Sequence, residues 1–371
     1  MKILLLGEYS NVYNSLATGL RLLGHEVLVV NDGDSWKHFD NDISLSRDKG
    51  RWHMMLKLLK LLPRLRGFDV VQLINPIFMP LKAERHFWIY KYLKKHNKKV
   101  VLGVMGDDYY YCHINHTLKP MRYSDYNIGA KEHTTDIAQW TYHDKVETKK
   151  KDLCRMIAAD CDAIVAGAYE YWLPYTLTTD KDKKGRPLRE KLHYIAFPIC
   201  LPENEKETEP VTLPYKVFLG ISHNRSEFKG TDIMLRVAKQ LEKEHPDRMR
   251  LDVVEGLPYD EYQKHIRNKD ILLDQIYSYG PGMNALQSMA QGMIAVSGAE
   301  PEHYELQGEN DCQPIINVEP SYEDIYEKLK RLINLSPEEI EKIKKDSRKY
   351  VERNHDCLKV AKQYVEFYSS L

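Results

Sequence analysis

Two segments in the second half of the chain carry residues spaced for anion and sugar chemistry. The first is DQIYSYGPGMNALQSMAQGMIAV (274–296). An apolar run ends near Tyr277, a Gly-Pro-Gly turn follows, and a short helical pattern starts near Met283 and closes on Gly292. Gly280 and Gly282 let a backbone come close to a ligand. A helix starting at Met283 presents unpaired N–H groups and the positive end of its dipole, which suits phosphate. Gln287 falls one turn along, on the face of Met283 and Asn284, and its amide can bond ribose or hexose hydroxyls. The plain alternative is a tight turn with a C-cap glycine. The second segment is FLGISHNRSEFKGTD (218–232). Arg225 and Lys229 lie between a strand ending near Ile221 and a helix whose first turn holds Asp232. Two cations in such a loop can clamp a pyrophosphate and neutralise charge on a departing nucleotide. The alternative is a solvated loop with ordinary surface charge. Both segments leave the same edge of one predicted sheet, which favours a shared site.

The first half offers further polar candidates at its strand ends. GEYSNVYNS (7–15) follows the first apolar run and presents Gly7, Glu8, Tyr9, Ser10 and Asn11, either to a sugar or as a capped turn. It lacks G-x-G-x-x-G, which argues against a nicotinamide dinucleotide. VVLGVMGDDYYY (100–111) ends a strand on Gly106, Asp107 and Asp108. A strand-end Asp can orient an acceptor hydroxyl or take its proton; it can equally be an N-cap or turn residue. Adjacent aspartates lack D-x-D spacing, and no metal site is expected. YYYCHINH (109–116) reads as an aromatic-rich loop, lining the acceptor side or packed as a lid. No H-E-x-x-H or C-x-x-C occurs among the 15 histidines and 6 cysteines, so the thiols read as free in a reducing cytoplasm.

These residues need sheets to position them. Short runs rich in Val, Ile and Leu recur at 3–7, 26–31, 69–74, 99–105, 163–167 and 193–197, with helical patterns such as SLATGLRLLG between them. Near-continuous apolar runs suit parallel strands buried on both faces. PENEKETEPVTLP (202–214) is charged and proline-rich and reads as a linker. The alternation restarts at 216–221, 250–255, 271–276, 293–298 and 314–319, and 336–371 reads as helix. The expected architecture is α/β, with two Rossmann-like doubly wound domains facing a cleft. The expected bounds are 1–203 for the first domain, 204–214 for the linker and 215–345 for the second domain, with a helical stretch over 346–371.

Lys plus Arg equals Asp plus Glu, 54 against 54, so no bulk charge draws the chain to nucleic acid. The first residues do not read as a signal peptide, and no run reaches the ~18 apolar residues of a bilayer span. RWHMMLKLLKLLPRLRG (51–67) carries five Lys or Arg and no acid, with Met and Leu at helical spacing. Such a helix can lie on anionic lipid; the alternative is a core-facing helix with a solvated basic edge. The expected localisation is cytoplasmic, with peripheral contact at the inner membrane face through 51–67.

The C-terminal half resembles the retaining glycosyltransferases of family 4, which have the GT-B fold. Arg225, Lys229 and Gly230 look like that family's Arg, Lys and Gly in the first loop of the C-terminal domain. YGPGMNALQ followed by SMAQG is similar to its E-G-F-G-x-x-x-x-E and A-M-A-x-G pattern: Gly280, Gly282, Met289, Ala290 and Gly292 match, and the match extends to DQ (274–275). VERNH (351–355) and QYVEFYSSL (363–371) resemble its last helix, so the resemblance implies that 346–371 crosses back to the first domain, with 1–203 the acceptor side and 215–345 the nucleotide-sugar side. Its two glutamates fall on Tyr279 and Gln287, its catalytic His position on Met105, and its strand-end acid on Asp108. The resemblance implies transfer of a sugar from a UDP- or GDP-sugar to a glycan or lipid-linked acceptor, retaining and metal-independent, with no bound cofactor. Arg225, Lys229 and the helix after Gly282 would stabilise the leaving diphosphate. Gly280, Gly282, Met283, Asn284, Gln287 and Tyr279 would line the donor. Asp108 would orient the acceptor hydroxyl, with Gly7, Glu8, Ser10 and Asp107 beside it. The rival reading is a non-catalytic GT-B binding or partner subunit; a sugar-nucleotide epimerase ranks third.

Overall fold

Each apolar run becomes a strand because Val, Ile and Leu can be buried on both faces of a sheet. The computed structural model describes residues 1–34, 39–45, 50–202, 210–222 and 224–371, with the backbone alone for 51–55 and 260. Most of the expected linker, 204–209, lies outside the described residues. The strands in chain order are β1 (Lys2–Leu6), β2 (Glu26–Asn31), β3 (Ile43–Ser44), β4 (Val70–Leu73), β5 (Lys99–Val104), β6 (Tyr123–Ser124), β7 (Asn127–Ile128), β8 (Lys131–Glu132), β9 (Ala163–Ala166), β10 (Leu192–Tyr194), β11 (Tyr215–Ile221), β12 (Met249–Glu255), β13 (Ile271–Leu273), β14 (Ile294–Ser297) and β15 (Ile316–Asn317).

The chain forms two units. One gathers residues 1–118, 140–200 and 357–371; the other gathers 119–139 and 201–356. The first holds a parallel sheet in the order β10-β9-β5-β4-β1-β2-β3. Its centre is dry: Ile3, Leu4, Leu5 and Leu6 are fully buried. The second holds a parallel sheet in the order β12-β11-β13-β14-β15. Met234, Val237, Ala238 and Leu241 of the Thr231–Glu244 helix pack on it, with Ile325, Leu329 and Ile333 of the Tyr322–Ile333 helix in the same core. Strand order reverses between β1 and β4 in one unit and between β11 and β13 in the other. Ligands bind beyond the carboxyl ends of strands at such reversals.

Three features depart from the sequence reading. Residues 119–139, expected with the first unit, join the second, where β6, β7 and β8 form an antiparallel sheet. YYYCHINH lies in a helix, Tyr109–Leu118, because its tyrosines are buried and Asp108 caps its first turn. The last helical stretch is two helices, Pro337–Asn354 and Cys357–Ser370, which belong to different units. Within the first unit the Cys357–Ser370 helix packs on Val12–Leu22 at Gly19, where a Cβ would fall 2.1 Å from the Cys357 carbonyl oxygen. No helix among the described residues is long and apolar enough to cross a membrane.

Candidate functional site

The two segments singled out in the second half follow β11 and β13, the strands flanking that unit's reversal. After β11 the Arg225 N–H donates to the Ser222 carbonyl (3.0 Å), and a one-turn helix, Ser226–Lys229, carries the chain to Gly230. Arg225 is exposed, with its guanidinium 5.0 Å from the centre of the Phe228 ring. Lys229 is half-buried. Gly230 has φ +72, and a Cβ there would lie 2.2 Å from Ile276 Cγ1. The Ile276 N–H donates to the Lys229 carbonyl (3.2 Å). The cationic loop and the turn after β13 are therefore locked together by backbone, and glycine is required at the contact.

The turn after β13 is held by polar side chains. Gln275 donates to Ser278 Oγ (2.8 Å), which donates to the Gly280 carbonyl (2.9 Å). Gly280 is packed: a Cβ would stand 2.7 Å from His303 Nδ1. His303 is buried, and desolvation, then the neighbouring His355, pushes its pKa down to about 3. At Gly282 the nearest atoms to an added Cβ are Gln275 Nε2 at 3.4 Å and Asp274 Oδ2 at 3.6 Å, so a side chain would meet only ordinary contact. No side chain caps the Met283–Ala290 helix that begins there. Met283 is buried, and Gln287 is half-buried on the next turn. Asn284 is committed within the protein. Its amide donates to Asp274 Oδ1 (2.9 Å), and its oxygen accepts from the Tyr262 hydroxyl (2.9 Å).

Asp274 changes what this helix end can bind. It is buried, and Oδ2 has no hydrogen-bond partner among the described residues. A phosphate seated directly against it would be repelled by about 4 kcal/mol, taking ~4 Å and an effective dielectric near 20. A helix N-terminus returns only about 0.3–2 kcal/mol. Phosphate is therefore better placed toward Arg225 and Lys229 than against Oδ2.

Tyr279 is buried against residues 119–139. Its hydroxyl accepts the Arg122 backbone N–H (2.6 Å), and the Arg122 guanidinium lies 5.1 Å from its ring centre. Arg122 pairs with Glu300 (2.5 Å) and Glu302 (2.6 Å), and Tyr123 donates to the buried Glu300. Hydrogen bonding to Glu302 holds Arg122 firmly protonated. His133 stacks on Tyr277 at 4.5 Å; burial pushes its pKa down, opposed by Asp232. These partners lie far apart in sequence, which is why no local signal announced them. Asp274 had one: it is the polar residue that ends an apolar run at a strand terminus.

In the first unit, Gly7 has φ +90 and a Cβ would lie 2.2 Å from Ile74 Cγ2. Glu8 is buried; its oxygens accept the Tyr13 (3.2 Å) and Asn14 (3.0 Å) N–H groups. Burial pushes its pKa up to about 8, with the charge of Asp34 adding. Ser10 has φ +52, and its N–H donates to Asp34 (2.9 Å). After β5 the aspartates divide. Asp108, expected to orient an acceptor hydroxyl, is buried: Oδ1 accepts the Tyr111 N–H (2.9 Å) and Oδ2 the Tyr175 hydroxyl (2.5 Å). Burial raises its pKa against those bonds. Asp107 is half-exposed, and Asn75 holds its carbonyl (3.3 Å). After β9 comes Glu170, not foreseen from the sequence. It is buried, Oε2 has no partner among the described residues, and burial, with a contribution from Asp107, raises its pKa to about 7. Among the described residues no cluster of three His, Cys, Asp or Glu is placed to hold a metal ion.

No protein-family model matches the chain, and no characterised protein matches it in sequence. Solved structures do match in fold. Sucrose-phosphate synthase from Thermosynechococcus elongatus aligns with a TM-score of 0.61 at 11% identity, covering 100% of this chain and 99% of that one. HepE from Anabaena, solved with UDP and glucose, aligns at 0.58 and 11% identity, covering 100% of both chains. A glycosyltransferase from Rickettsia africae aligns at 0.56 and 13% identity, covering 99% and 97%. At these identities the likeness is one of fold: the chain has the two Rossmann-like domains of the GT-B architecture.

Proposed function

We propose that the chain is a glycosyltransferase that moves a hexose from a UDP- or GDP-sugar to a glycan or lipid-linked acceptor. The observation that carries this reading is the junction at the β11/β13 reversal. There an exposed Arg225 and a half-buried Lys229 are tied by backbone to a glycine turn and an uncapped helix start. The two cations neutralise charge as the diphosphate leaves, the role a divalent ion would otherwise fill. Gly280, Gly282, Met283 and Gln287 line the donor. Tyr279 and Asn284 act as supports, since their polar atoms are engaged by Arg122, Tyr262 and Asp274. Transfer is retaining and metal-independent by resemblance, and the leaving phosphate takes the acceptor's proton.

The first unit takes the acceptor, with Gly7, Glu8, Ser10 and Asp107 at the ends of β1 and β5. Asp108 caps the helix that follows and so holds Asp107 in place. HepE was solved with UDP and glucose, which supports a nucleotide-sugar donor for this chain. The rival is a non-catalytic partner subunit, favoured by Tyr279, which puts a buried phenol where the resembling family has a carboxylate.

Incubating the protein with UDP- and GDP-sugars, with and without EDTA, tests the reading through thermal stabilisation and nucleotide release. We expect stabilisation by at least one donor, and release that survives EDTA once an acceptor glycan is added. No stabilisation by any donor would refute it. Stabilisation without release across an acceptor panel favours the non-catalytic subunit.

A further inference from the structure

We propose that Asp274 and the first turn of the Met283–Ala290 helix form a hydroxyl-binding subsite within the donor site. The proposal rests on the donor-site reading above.

The helix has eight residues, and its start at Gly282 has no side-chain cap. Its first N–H groups need an acceptor. Asp274 stands beside that start, with Oδ2 at 3.6 Å from the Cβ position of Gly282. The carboxylate is fixed from its other side. Asn284 donates to Oδ1, and Tyr262 donates to Asn284. The Tyr262 ring lies over Gly220, where a Cβ would come 2.4 Å from Cε2, so the relay is anchored on β11. Oδ2 is left buried and without a partner among the described residues. A buried carboxylate oxygen calls for a proton donor.

A group lying against both features must accept from the helix N–H groups and donate to Oδ2. A phosphate oxygen accepts only, and it would be repelled. A lone cation would satisfy Oδ2 but not the N–H groups. A hydroxyl does both. In a nucleoside-diphosphate sugar, hydroxyls sit on the ribose and on the transferred sugar, and either meets the requirement. The diphosphate between them is left to Arg225 and Lys229.

The test is calorimetric binding of UDP, UDP-glucose, GDP, GDP-mannose and inorganic pyrophosphate to the full chain and to Asp274→Asn, in EDTA. Asn keeps an acceptor for Asn284 and replaces the orphan oxygen by an amide. We expect the variant to bind the hydroxyl-bearing ligands about ten- to hundredfold more weakly and pyrophosphate unchanged. Loss for the nucleotide and its sugar ester alike assigns the ribose; loss for the sugar ester alone assigns the transferred sugar. Unchanged affinity for every ligand overturns the proposal and leaves the donor reading standing. Tighter pyrophosphate binding means phosphate sits against Asp274, and weaker pyrophosphate binding means a cation bridges them; either overturns it. Failure of the unmutated chain to bind any nucleotide overturns both readings. Tyr262→Phe keeps the ring and the carboxylate but removes the donor to Asn284. It should lose affinity for the same ligands to a smaller degree and spare pyrophosphate, which keeps the test open should Asp274→Asn fail to fold.

Discussion

Glu8 and Glu170 are buried carboxyls with pKa values near 8 and 7, both raised chiefly by desolvation. For Glu8 the folded value lies above the unfolded one, near 4.5. Between those values the native state keeps a proton that the unfolded chain has released. Its contribution to stability is therefore complete below about 4.5 and is lost as pH rises through about 8. Glu8→Gln mimics the protonated form. We expect the stability of the unmutated protein, and its melting temperature with it, to fall between pH ~4.5 and ~8 on account of this group, by on the order of a few kcal/mol. The fall should be shallower in Glu8→Gln; parallel pH profiles from circular dichroism would contradict this. Both strand-end polar residues Glu8 and Asp107 were legible in the sequence. The burial of Glu8 was not, because it depends on neighbours such as Asp34 and Tyr13. The same holds for Asp108, whose second carboxylate oxygen is taken by the Tyr175 hydroxyl, 67 residues away.

Elements were legible in proportion to their periodicity. The long parallel strands announced themselves through unbroken apolar runs. β6, β7 and β8 have two residues each and no period to read. The basic segment does fold as a helix, Arg51–Leu61. Leu58, Leu61, Leu62 and Leu65 are buried, while Leu56 and Leu59 are 59% and 56% exposed beside Lys60, Arg64 and Arg66. Two bare leucines with basic neighbours suit an anionic lipid surface. Flotation with phosphatidylserine-containing vesicles should carry the protein upward at low salt, less so at high salt, and less so for Leu56→Ser with Leu59→Ser. Absence of flotation at low salt would leave the helix as a core-facing element with a solvated edge.

For the whole molecule, the two-sheet organisation followed from the alternation of runs and the charged, proline-rich stretch between them. The chain's repeated passage between units did not: residues 119–139 leave the first unit's sequence to pack on Tyr277 and Tyr279, through contacts that span roughly 150–180 residues. What the fold adds is position. It brings the loops after β11 and β13 together at a strand-order reversal, where a spacing argument alone left a tight turn and a solvated loop as alternatives. In the function proposed for the chain, this junction holds a nucleotide diphosphate with two cations and no metal. Calorimetry of the intact chain with its UDP- or GDP-sugar in EDTA addresses it directly. Arg225→Ala and Lys229→Ala should each weaken binding by ~1.5–3 kcal/mol, the worth of a charge-assisted hydrogen bond; affinity unchanged in both variants would contradict the account.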